Sequence, residues 1–65
     1  MSIRDYIKSN FKDSSKKEIE ESICSSIKEG DEVTLPGLGV LFEILWQNSE
    51  ENLKDEILSN LDKNL

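Results

Sequence analysis

Few residues of this chain have the types and spacings that chemistry requires. There is no histidine and one cysteine, Cys24. An intramolecular disulfide, a zinc site built on thiolates and imidazoles, and a thiol–imidazole nucleophile pair are therefore excluded. Cys24 follows Ile23 on an expected helix with no base beside it in sequence, and it reads as a small half-buried hydrophobe. The acids do not cluster at metal-loop spacing. Their closest pairs, Glu18 with Glu21 and Glu50 with Glu51, fall on helix surfaces, where paired carboxylates act as solubilising charge rather than as general acid and base. The chain is read as no enzyme, with no cofactor, no metal and no small-molecule ligand.

Three features remain that could serve binding. Pro36-Gly37-Leu38-Gly39 brings glycines together as a phosphate cradle does, but a P-loop needs a lysine and a hydroxyl after its second glycine, and Val40 and Leu41 follow instead. These glycines read as a tight turn that lets two helices approach. Lys8, Lys12, Lys16 and Lys17 would form a basic stripe, a candidate nucleic-acid contact, if the first two helices stacked with little bend. Asp5, Asp13 and Glu20 interleave with it, as on a solvated face. Trp46, the single tryptophan, is either a core residue or an apolar anchor for a second copy of the chain, because buried aromatics dominate interface energetics.

Length and charge bound the partners. A chain of 65 residues makes one small domain, 1–65, and at about this size folding buries only about 60% of the surface the unfolded chain exposes. Residues 1–28 carry six Lys or Arg against five acids and residues 29–65 carry two against nine, so the net charge of −6 is C-terminal. That field repels phosphate backbones, and nucleic acid is not the expected partner; a second copy of the chain is the one to weigh. The longest apolar run, Val40 to Trp46, is interrupted by Glu43 and is far below the ~20 residues of a membrane span. No charged and then apolar leader opens the sequence, and an intracellular protein is expected.

The elements that would position these residues are helices. Ile3, Tyr6, Ile7 and Phe11 recur at spacings of three and four, with Ser2 as N-cap, which predicts a helix over 3–11. Ser15 and Glu18 form a capping box, Ile19, Ile23 and Ile27 follow at spacings of four, and Gly30 supplies a left-handed stop, which predicts a helix over 16–28. Residues 33–45 admit a β-hairpin, with Val33–Leu35 and Val40–Trp46 paired around Pro36-Gly37. They equally admit a helix from about Leu38 to Gln47, with Gly39, Glu43 and Gln47 in one polar stripe. The helix separates polar from apolar more cleanly, and a hairpin would lack a third strand to cover its edges. Its narrow polar stripe predicts the central, most buried helix. Asn48-Ser49 is expected to break and recap the chain before a last helix over about 50–62, on Leu53, Ile57, Leu58 and Leu61. The expectation is an all-α domain of four short helices, with Ile7, Phe11, Ile19, Ile23, Ile27, Leu41, Leu45, Ile57 and Leu61 in one core.

Leu35-Pro36-Gly37-Leu38-Gly39-Val40-Leu41-Phe42-Glu43-Ile44-Leu45-Trp46-Gln47 resembles the signature of the small acid-soluble spore protein I family, and the likeness extends over about residues 6–62. The resemblance implies a minor protein of sporulation, made in the forespore and resident in the spore core, and it implies no reaction; the net charge favours a structural or storage role there. A second resemblance, to histone-like HU proteins, lies in Glu29-Gly30-Asp31-Glu32-Val33, Gly37-Leu38-Gly39 and Phe42-Glu43-Ile44. Such proteins continue into a basic arm that grips DNA, whereas this chain continues into the acidic Trp46-Gln47-Asn48-Ser49-Glu50-Glu51. The alternative to a structural protein is thus a nucleic-acid accessory protein of the spore nucleoid using the four lysines.

Overall fold

The structure is a computed structural model that describes residues 2–65, and among these it contains four α-helices, one 3₁₀ turn and no strand. Helix α1 spans Ile3–Phe11 and α2 spans Lys16–Glu29. A 3₁₀ turn over Glu32–Thr34 leads into α3, Leu35–Gln47, and α4 spans Glu51–Asn64. The caps of the first two helices are those the sequence predicts. The Ser2 hydroxyl accepts from the Asp5 N–H at 3.2 Å. The Glu18 N–H donates to Ser15 Oγ at 3.2 Å while the Ser15 N–H donates to Glu18 Oε1 at 3.4 Å, so two otherwise orphaned donors are satisfied reciprocally. Gly30 ends α2 at φ 60°, its N–H donating to the Ser26 carbonyl at 3.2 Å, a conformation that costs a side chain its Cβ contacts and glycine nothing.

The hairpin reading of 33–45 is excluded, and α3 begins three residues earlier than the Leu38 expected. Pro36 and Gly37 do not break the chain; they lie in the first helical turn, where the N–H that proline lacks would have had no partner. The would-be first strand is instead wound into the 3₁₀ turn. There the Asp31 carboxylate accepts from the Val33 N–H at 3.3 Å, and the Thr34 hydroxyl lies 2.8 Å from the Asp31 carbonyl and 3.3 Å from the Ser26 carbonyl. Asn48 and Ser49 act on the helix behind them rather than the one ahead. Asn48 Nδ2 donates to the Ile44 carbonyl at 2.8 Å and the Ser49 hydroxyl donates to the Leu45 carbonyl, closing the end of α3. The N-cap of α4 is Glu50, and it makes no side-chain capping bond.

Helix α3 is the element against which α1, α2 and the 3₁₀ turn pack. It holds Val40, 8% exposed and the one buried residue among those described. Ile7, Phe11, Ile19, Ile23, Leu41 and Ile57 are half-buried, but Ile27, Leu45 and Leu61 of the expected core are exposed. The spacing of four explains Ile27: on a helix of 3.6 residues per turn each step drifts by about 40°, so Ile27 stands about 80° round from Ile19. Nor is α3 enclosed, since Leu35, Phe42 and Leu45 face solvent. The radius of gyration is 12.9 Å, against about 11 Å for a close-packed domain of this length.

Candidate interaction surface

Arg4 on α1 and Glu43 on α3 make the one ion pair among the described residues, with Arg4 Nε 2.7 Å from Glu43 Oε1 and Nη2 2.9 Å from Oε2. This two-pronged geometry is the strong form of a surface pair, because a planar guanidinium matches both carboxylate oxygens at once. The Arg4 hydrogen bond holds the Glu43 carboxyl below its usual range; partial desolvation opposes this, and the charges of Arg4 and Lys8 add to the lowering. The same bond raises the Arg4 pKa. Ile7 Cδ1 lies 3.7 Å from where a Cβ on Gly37 would stand, an ordinary van der Waals distance, so α1 sits close against the first turn of α3.

Between α1 and α2 runs an open groove of about 700 Å³. Ile3, Tyr6, Ile7 and Phe11 line it from α1, Glu18, Glu21 and Glu29 from α2, and Val33, Pro36 and Gly37 from the segment that follows. The two helices wall one groove, so the chain turns back between them rather than continuing along one axis. Lys8 lies on α1, Lys12 caps its C-terminal end, Lys16 and Lys17 open α2, and all four are exposed. Cys24, expected to be half-buried, is exposed, standing about 100° round α2 from Ile23.

At the far end of α3, Trp46 is half-buried. Its ring stacks on Phe42 with centroids 6.2 Å apart at 27°, and Lys54 Nζ of α4 lies 5.3 Å from the ring centroid, within cation–π range. Trp46 thus has one flank against its own chain, while the neighbouring Phe42 and Leu45 remain open to solvent.

The family model described as small, acid-soluble spore protein I matches residues 1–65. Proteins named small, acid-soluble spore protein I from Shouchella clausii and Bacillus mycoides are each 41% identical to the chain over 63 residues, covering 97% of it and 91% of the relative. One of the same name from Bacillus anthracis is 40% identical over the same shares. The chain belongs to the small, acid-soluble spore protein I family. No solved structure matches it.

The segment on which the resemblance rests, Leu35–Gln47, is in this member of the spore protein I family the whole of α3. The Arg4–Glu43 pair was not foreseen from the sequence. Its signal is there in half: Glu43 is the single charge on α3 and calls for a cation, but nothing in the spacing chooses Arg4 over Lys8 or Lys12. The uncovered face of α3 was missed because the helix had been expected at the centre of a closed core.

Proposed function

We propose that the protein is a non-catalytic component of the spore core, made in the forespore, whose part in sporulation is structural or storage. The observation that carries this reading is the match of a spore-protein family to residues 1–65. The chemistry agrees with it. Among the described residues the groups with displaced pKa values are Arg4 and Glu43, which are bound to each other on the surface rather than poised in a cleft. A fluorescent fusion expressed during sporulation is expected to light the forespore and to persist in spores stripped of their coat. Signal confined to the mother cell, or lost with the coat, would overturn the location and with it the role.

A further inference from the structure

We propose that the chain pairs with a second copy of itself through the uncovered face of α3, the two copies of that helix crossing near Gly39 about a two-fold axis. This inference rests on surface and packing alone and stands apart from where in the spore the protein acts.

The face is built from Leu35, Leu38, Phe42 and Leu45, at successive spacings of three, four and three, which places them within an arc of about 80° on one side of the helix. That is the a/d spacing with which one helix seats another. Leu35 is 60% exposed, Phe42 44% and Leu45 45%, and the stripe carries no charge. Glu43, the one charge of α3, is engaged by Arg4 at its side. Two copies can therefore meet here without bringing like charges together, although each chain carries −6.

Gly39 supplies a second, independent observation. It lies about 40° round the helix from Leu35, just outside the stripe and level with its midpoint, and a Cβ added there would meet nothing within 4 Å. Within the single chain nothing requires a glycine at this position, and glycine in mid-helix is unfavourable relative to alanine. A helix crossing at that point would use it, since the absent side chain lets two axes approach to the short end of the 8–10 Å range.

The exposed area of the chain is in keeping with this. The chain of 7.4 kDa exposes 5608 Å², where a close-packed monomer of that mass exposes about 4,200 Å². The surplus of about 1,400 Å² belongs to the chain as a whole, and the open side chains of Leu35, Phe42 and Leu45 are part of it. A self-complementary patch on one helix forms a closed pair rather than an open chain.

Sedimentation equilibrium of the full chain, from micromolar to millimolar concentration, tests this. The average mass is expected to rise from one chain toward two and stop there, and the association is expected to tighten with added salt, because salt screens the repulsion between two acidic chains while leaving the apolar contact. Leu45→Glu, at a site exposed in the single chain, is expected to weaken association by about tenfold or more, with circular dichroism at low concentration reporting that the helices persist. Gly39→Ala separates the cases by sign: it favours the isolated helix and opposes the crossing, so it is expected to raise helicity at low concentration and to loosen the pair. A wild-type mass of one chain throughout, a mass beyond two, an association indifferent to both substitutions, or one that weakens with salt as a lysine corner docked in the Glu18–Glu21 groove would, overturns the proposal.

Discussion

Glu43 is the residue through which the fold should sense acid. Its carboxyl is held below the usual glutamate value of 4.5 by Arg4, so the pair contributes stability that is fully present above that value and is lost as pH falls through the lower folded value. Arginine stays protonated throughout, and the alkaline side has no counterpart. In urea titrations between neutral pH and pH 2, Glu43→Gln is expected to lower the midpoint at neutral pH and to flatten its decline in acid. Parallel wild-type and variant curves would show that the pair does not hold α1 to α3. Because both side chains lie at the surface, the effect belongs with exposed pairs rather than with buried ones. Gly30 is the other residue with a singular role. At φ 60° a side chain is strained, and Gly30→Ala is expected to cost about 1 kcal/mol, read as a lower thermal midpoint.

At the scale of the element, α2 owes its start to a reciprocal pair of hydrogen bonds between Ser15 and Glu18. Removing the hydroxyl in Ser15→Ala is expected to cost about 0.5–2 kcal/mol, a large share of the stability of so small a domain. An unchanged melting midpoint would mean that Glu18 alone, near the positive end of the helix, suffices. Helix α3 shows a different logic. Its residues are apolar on nearly every side, a composition that belongs to a helix enclosed by others, yet only α1, α2 and the 3₁₀ turn pack substantially against it. Helix α4 reaches it through Lys54 over Trp46 and leaves Phe42 and Leu45 open. The element is written for more cover than one chain provides.

The whole molecule has one buried residue among those described and a radius of gyration of 12.9 Å, so its stability as a single chain is expected to be small and its melting point to rise with protein concentration, as mass action requires of a fold completed by association. A melting point independent of concentration would contradict that coupling. Charge at the same scale argues against DNA as a partner. The four lysines of the first two helices are exposed, but the acids after residue 28 set a repelling field. Since phosphate contacts draw their free energy from released counterions, binding to duplex DNA is expected to be weaker than about micromolar at physiological salt. A tighter constant in an electrophoretic or anisotropy assay would move the nucleoid reading to first place.

Local physics determined what could be read from the sequence. Ser2, Ser15 and Gly30 mark helix ends through bonds within a few residues of themselves, and the helices over 3–11 and 16–28 follow from them almost to the residue. Pro36 was legible only in part, since the same ring that can end a helix also opens one, and the choice fell to the 3₁₀ turn that Asp31 and Thr34 hold in front of it. The absence of histidine, the single cysteine and the acidic C-terminal half bounded the chemistry before any fold was known. Tertiary structure alone decided which apolar residues are covered. Periodicity marks an apolar face on a helix, but covering that face takes a neighbour of the right length at the right angle. In this chain the neighbours meet over Val40, leaving Ile27, Leu45 and Leu61 outside. It also chose Arg4 for Glu43 across 39 residues of chain, because an ion pair depends on where two helices are carried and not on how far apart they are written.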